Sequence, residues 1–274
     1  MYDQSMAHAA AENLRRVRER KPLVHNITNY VVMNYTAMAL LACGAAPVMA
    51  HALEEVEEMV SLAGALVLNI GTLSPAWIEA MVKAGKRANA LGVPVILDPV
   101  GAGATSLRTG AAKRLIEEAS VQVVRGNASE ILSLAPEKQG SRTKGVDSVH
   151  TVDQVTDTAV ALARDLKLTL AMTGTVDLVT DGARVVHVMN GHAMMSRVTG
   201  TGCTATVIIG AFMAVERDPL RAAWAGLSYF GFAGEKAAAQ APGPGTFQVA
   251  LLDALYEMTE DELTAGARIE IAKR

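Results

Sequence analysis

The densest chemistry in this sequence lies in Val198-Thr199-Gly200-Thr201-Gly202-Cys203-Thr204-Ala205, which runs into an apolar helix expected over 207–215. Glycines ahead of a helix let the chain turn tightly and aim several unpaired backbone N–H groups at one point, where the helix dipole adds positive potential. Gly200, Thr201, Gly202 and Cys203 therefore form a candidate anion hole, with phosphate as the obvious occupant. A glycine turn without a ligand is the competing reading. Cys203 falls in the first helical turn, where the dipole is expected to favour thiolate over thiol. It can serve as a nucleophile, as a weak base or as a small buried residue.

The acids and cations that could complete such a site each sit just after an apolar run. Asp98 opens Asp98-Pro99-Val100-Gly101-Ala102-Gly103 and reads as an exposed acid, while Arg125-Gly126-Asn127-Ala128-Ser129-Glu130 follows Val121–Val124. Asn127 with Glu130 three residues on is a capping-box variant in its structural sense. Beside Arg125 the same pair could gather magnesium and phosphate. Mg²⁺ keeps waters and borrows one or two carboxylates, so Asp98 and Glu130 suffice as its candidate ligands. Thr173-Gly174 follows Leu168–Met172, Met49 closes Ala45–Ala50, and Asn69 with Gly71 ends Ala65–Ile70.

Two familiar nucleotide motifs are excluded. Gly200-x-Gly202-x-x-Ala205 lies far from the first strand–helix–strand unit and has no acid about 20 residues on, so it is not a dinucleotide fingerprint. No Gly-x-x-x-x-Gly-Lys-Ser/Thr occurs, which rules out a P-loop. The 6 histidines show no metal-binding helical spacing, and surface or core duty is expected for each. His25 stands apart, because it opens the polar segment His25-Asn26-Ile27-Thr28-Asn29-Tyr30 ahead of a buried helix.

These motifs need a frame that brings strand ends together. Apolar strands are expected at 45–50, 65–70, 93–97, 121–124 and 168–172, alternating with helices at 5–20, 53–63, 106–119 and 154–165. A further helix is expected from a cap at Thr28 or Asn29 to about Ala42, and Ser74-Pro75 should start one that ends near Leu91-Gly92. Leu178–Thr180 and Arg184–Met189 flank a hairpin turn at Asp181-Gly182. The polar segment Pro136–Asp153 reads as a mobile excursion that could close over a nucleotide. The alternation implies an α/β fold with a mostly parallel sheet covered on both faces. Ligands then gather beyond the carboxyl ends of the strands. No linker divides the chain, so residues 1–274 are expected to form one domain.

Composition narrows the classes further. The chain has 274 residues, 50% apolar and 19% charged, with a net charge of −3. That supports a large core and gives no reason to expect nucleic acid as partner. Aromatic residues make up only 4%, too few for base-stacking platforms. The uncharged stretches Asn26–Leu53 and Val198–Val215 carry polar residues and glycine breaks that argue against membrane spans. Two widely separated cysteines and no secretory pattern at the start point to a reducing cytoplasm.

Taken together, the motifs resemble those of the hydroxyethylthiazole kinases, a branch of the ribokinase-like superfamily. The resemblance is carried by Val24-His25-Asn26-Ile27-Thr28-Asn29, Ala46-Pro47-Val48-Met49-Ala50, the Asp98–Gly103 loop, Arg125–Glu130, Thr173-Gly174 and Thr199–Cys203, in family order over nearly the whole chain. It implies a single ribokinase-like domain. The implied reaction is ATP- and magnesium-dependent phosphorylation of the hydroxyethyl group of 4-methyl-5-(2-hydroxyethyl)thiazole, a thiamine salvage step. It also implies a homotrimer with active sites between neighbours. By position, Met49 and Gly200 match thiazole-binding residues, and Asn26 lies in the segment near the substrate. Arg125 and Thr173 match ATP-binding residues, and Asn127 with Glu130 matches the element that organises magnesium and phosphate. Asp98 matches an acid near the metal. Cys203 stands where most ribokinase-like enzymes carry Asp as proton acceptor, as is usual in the thiazole branch. Other readings are a hydroxymethylpyrimidine-type kinase, a cysteine hydrolase using Cys203 with His187 or His192, and a nucleotide sensor without catalysis.

Overall fold

Runs such as Ala65–Asn69, apolar up to the last residue, belong where both faces of a strand are covered. The computed structural model, which describes residues 2–136 and 152–272, places that run as β3 inside one nine-stranded sheet. Its strands are β1 (Leu23–Ile27), β2 (Ala46–Val48), β3, β4 (Val95–Asp98), β5 (Val123–Asn127), β6 (Thr169–Thr173), β7 (Asp177–Thr180), β8 (Val185–Val188) and β9 (Ile269–Ile271). Their order is β2-β1-β3-β4-β5-β6-β7-β8-β9. Pairings from β2 to β6 are parallel, and those from β6 to β9 are antiparallel.

The pleat sends alternate side chains into two cores. Leu66 and Leu68 of β3, with Val95 and Leu97 of β4, pack under α3 (Val56–Leu62), α4 (Pro75–Leu91), α5 (Ser106–Glu118), α6 (Ala128–Leu132) and α7 (Val152–Leu166). Val67 and Ile96 face the other way, toward α1 (Gln4–Arg20), α2 (Met33–Cys43), α8 (Thr201–Met213), α9 (Pro219–Gln240), α10 (Pro244–Glu257) and α11 (Glu260–Gly266). Each such fully buried side chain contributes roughly 1.5–3 kcal/mol. Helix α8 is apolar all round because the sheet lies on one side of it and α2 and α9 on the other.

Local signals explain most boundaries. Ser74 Oγ accepts the Trp77 N–H at 3.3 Å and Pro75 takes the first turn of α4, which Gly92 closes. Asp218 and Pro219 do the same for α9. Two expectations need correction. The chain before α2 is strand β1 followed by a turn, and α2 begins at Met33 with no side-chain cap. The carboxamide of Asn29 is engaged elsewhere: its Oδ1 accepts the Val31 N–H and its Nδ2 donates to Asn69. The strand β9 also went unread, because three residues pair with β8 only through the tertiary fold. The segment expected to be an excursion over ATP lies, at 137–151, outside the described residues.

Candidate active site

The polar ends of β3, β4, β5 and β6 meet the first turn of α8. Gly200 precedes α8 at φ +85°, a left-handed conformation, and a Cβ there would lie 2.7 Å from Val32 Cγ1. The Thr204 N–H donates back to the Gly200 carbonyl at 2.8 Å. The N–H groups of Thr201, Gly202 and Cys203 find no acceptor among the described residues and no side chain caps them. Unpaired N–H groups at a helix start have the chemistry to accept an anion.

Arg125 leaves β5 beneath that turn. Its guanidinium donates to Thr173 Oγ1 at 2.5 Å and stands 3.9 Å from Asp98 Oδ2. A Cβ on Gly202 would lie 2.5 Å from Arg125 Nη1, so the helix turn and the cation can approach only because residue 202 has no side chain. A cavity of about 490 Å³ opens here, lined by Arg125, Thr173, Asp177, His192, Thr201 and Gly202 among others. Burial pushes the Asp177 carboxyl up to about 6, opposed by the Gly174 N–H that it accepts and by Arg125.

Asp98 corrects an expectation. It is 1% exposed rather than open to solvent. Its Oδ2 accepts from Thr206 Oγ1 at 2.8 Å and from Asn69 Nδ2 at 3.0 Å. Burial pushes its pKa up to about 6; Arg125 opposes the rise and Glu130 adds to it. Cys203 corrects a second. Burial first, and the Asp98 charge next, push its thiol up to about 12, so the sulfur rests protonated despite the helix dipole. Asn29 Nδ2 lies 3.7 Å from Cys203 Sγ.

Glu130 and Asn127 form the reciprocal cap read from their spacing: Glu130 N–H donates to Asn127 Oδ1, and Asn127 N–H donates to Glu130 Oε2, each at 2.9 Å. The other carboxylate oxygen accepts the Gly101 N–H at 2.8 Å, which ties the loop after β4 to the start of α6. No group of three metal-binding side chains gathers among the described residues. A buried acid held well above its ordinary range and a second carboxylate nearby nevertheless suit Mg²⁺, which needs few protein ligands and would relieve the charge repulsion.

The structure does not bring every candidate to the cavity. Met49 is half-buried beyond β2, at the edge of the sheet. His25 Nε2 meets the Ala50 carbonyl at 2.7 Å and fixes that loop; burial lowers the His25 pKa, so the ring is neutral and Nε2–H donates. Asn26 is 1% exposed and turns its Nδ2 back onto the Val24 carbonyl, leaving Oδ1 without a partner. His187 stands near Glu270, and His192 lines the cavity with its Nδ1 accepting the Met194 N–H; neither hydrogen-bonds Cys203 among the described residues. Asn29, Asn69 and Thr206 were not singled out as site residues. Two signals were available: Asn69 ends an apolar parallel strand, and Thr206 follows Cys203 by three, on the same helix face.

A parallel sheet that turns antiparallel at one edge and is covered by helices on both faces is a fold shared with ribokinase-like proteins. A ribokinase-like superfamily protein from Enterococcus faecalis superposes with a TM-score of 0.61, covering 94% of this chain and 95% of its own, at 13% identity, a likeness of fold alone. The chain belongs to the hydroxyethylthiazole kinase family, whose sequence model matches residues 14–261. A hydroxyethylthiazole kinase of Desulfotalea psychrophila is 61% identical over 261 residues, 95% of each chain. The structure of a hydroxyethylthiazole kinase protein from Pyrococcus horikoshii is similar at a TM-score of 0.87 and 48% identity, covering 96% of this chain and 99% of its own. No helix among the described residues is long and apolar enough to cross a membrane.

Proposed function

We propose that this chain transfers the γ-phosphoryl group of ATP to the hydroxyethyl group of 4-methyl-5-(2-hydroxyethyl)thiazole, as the names of its relatives indicate. One observation carries the site assignment. Three unpaired N–H groups at the start of α8 share a helix turn with Cys203 and open on a cavity that holds Arg125 and Thr173. Phosphoryl transfer passes through a loose transition state, so holding and neutralising the moving group does most of the work. The N–H groups of Thr201, Gly202 and Cys203 hold its oxygens, and Arg125 faces their charge. Thr173 orients the guanidinium. Asp98 and Glu130, with Asn127 fixing Glu130, would hold Mg²⁺. When bound, the ion supplies charge neutralisation between the phosphates.

Cys203 meets the acceptor alcohol as a thiol. In a loose transition state the alcohol proton leaves late, so a strong resting base is unnecessary. Sγ takes that proton as its own passes to water, and Asp98 is the acid whose charge acts on the sulfur. Met49, on the loop that His25 pins, offers apolar surface to the thiazole from the β2 edge of the sheet. At this edge α2 exposes Met38 by 45% and Leu41 by 61%, and α10, packed on α2, exposes Val249 by 62% and Tyr256 by 73%. We place the contacts of a homotrimer there, with a neighbour completing the thiazole side. An ADP-release assay with the thiazole alcohol, with and without Mg²⁺, tests the function. ADP release independent of the alcohol would overturn it.

A further inference from the structure

The site contains a buried polar chain that the transfer reaction, as described, leaves unused. Asn69 ends β3 directly opposite Asp98 in the register of β4 and is 1% exposed. Its Nδ2 donates to Asp98 Oδ2 at 3.0 Å. Its Oδ1 accepts from Asn29 Nδ2 at 2.8 Å and from the Gly71 N–H at 2.9 Å. Asn29 Nδ2 is also the group 3.7 Å from Cys203 Sγ, and Asn29 Oδ1 is occupied by the Val31 N–H. Gly71 packs so closely on Asn29 that a Cβ would lie 2.5 Å from Nδ2, so the amide occupies space that a side chain at 71 would take.

The direction of every bond in this chain follows from the acid. An ionised carboxylate can only accept, so Asn69 must turn its NH₂ toward Asp98 and its oxygen outward. That oxygen in turn demands the NH₂ of Asn29, which then faces the sulfur. A lone pair of Sγ is thereby aimed at Asn29. Neither asparagine lines the nucleotide cavity. Serving the buried Asp98 carboxylate accounts for the Asn69 amide, but not for the second buried amide, Asn29, being held against the sulfur.

We propose that Asn69, acting through Asn29, is a positioning residue that sets Cys203 Sγ, and with it the acceptor oxygen, in line with the phosphate-holding amides. It touches neither ATP nor the alcohol. This inference rests on the kinase reading above, and the wild-type protein separates the two: alcohol-dependent ADP release must first be present.

The test is a cycle of Asn69→Leu, Cys203→Ser and the double variant, with ATP affinity measured by titration without acceptor. A misplacement of about 1 Å costs about 10²-fold in turnover, so Asn69→Leu should lower kcat by about that factor. ATP affinity should stay within about twofold. Because both changes remove one function, the double variant should be no slower than the slower single one. Asn29→Ala, which removes the link at the loop rather than in the sheet, should reproduce the kcat loss. Three results overturn the inference: kcat retained in Asn69→Leu, effects that multiply fully with Cys203→Ser, or loss of ATP binding in both asparagine variants, which would mark a merely structural role.

Discussion

Replacing Asp98 by Asn should make this protein more stable and far less active. The carboxyl is buried, and burial lifts its pKa from 3.8 to about 6 in the folded state. A folded-state value above the unfolded one means that the native protein binds the proton more tightly. Its contribution is complete below about pH 3.8 and is lost as pH rises through about 6. Above that range the ionised acid costs about 3 kcal/mol relative to its neutral form, at 1.36 kcal/mol per pKa unit. Asparagine keeps the shape and can still accept from Thr206 and Asn69, but its own NH₂ needs an acceptor, so a net gain of about 1–3 kcal/mol is expected. For a chain of this size, each kcal/mol moves Tm by about 2–4 °C. Thermal unfolding in chelator at pH 8 and at pH 4.5 measures this. The gap between variant and wild type should be several degrees at pH 8 and should shrink at pH 4.5, where the native acid is itself neutral. Turnover should fall at least about 10²-fold. A variant less stable than wild type at pH 8, or a gap indifferent to pH, would refute the reasoning.

The other expectations concern the same helix turn and the sheet edge. Cys203→Ser should lower kcat about 10- to 100-fold, the scale of a modest proton-transfer aid, with ATP affinity unchanged by titration. Gly202→Ala must push Arg125 aside, because the new methyl falls 2.5 Å from Nη1. The KM for ATP should rise about tenfold, the loss of one hydrogen bond to a charged group, while Tm stays level. If the trimer contacts lie where we propose, charging the exposed face of α2 by Met38→Glu with Leu41→Glu should give monomers in light scattering. Activity is then expected to fall, because the proposed site takes its thiazole side from a neighbour.

The frame was readable because burial leaves a plain signature. Val95–Leu97 and Ala65–Leu68 are apolar on both faces, and parallel strands buried on both faces require just that. Ser74-Pro75 and Gly92 announced both ends of α4. The start of α2 misled because Asn29 is a good cap by residue type, yet its amide is committed to Asn69, forty positions away in sequence. The pairing of β9 with β8 is likewise invisible to any local pattern. Site loops were legible from their place after strands, and Arg125, Thr173 and the α8 turn do converge. Asn69 was seen only as a strand end, because its importance lies in what stands opposite it.

Cys203 shows why position alone misjudged charge. The helix dipole acts in the expected direction, but it is worth about 0.3–1 kcal/mol, less than one pKa unit. Burial can move a group by 3–5 units. At this turn burial has an ally in the Asp98 carboxylate, so the larger effects both hold the proton on sulfur. That outcome also bears on why a thiol suits this pocket. A second carboxylate at 203 would face Asp98 across a buried space, and one of the two would have to stay protonated. A neutral thiol adds no further negative charge beside Asp98, which Arg125 at 3.9 Å, Thr206 and Asn69 already serve. In the proposed reaction the sulfur is a polarisable proton carrier where a second charge would be costly, and the proposed role of the asparagine chain is to give that weak carrier a fixed direction.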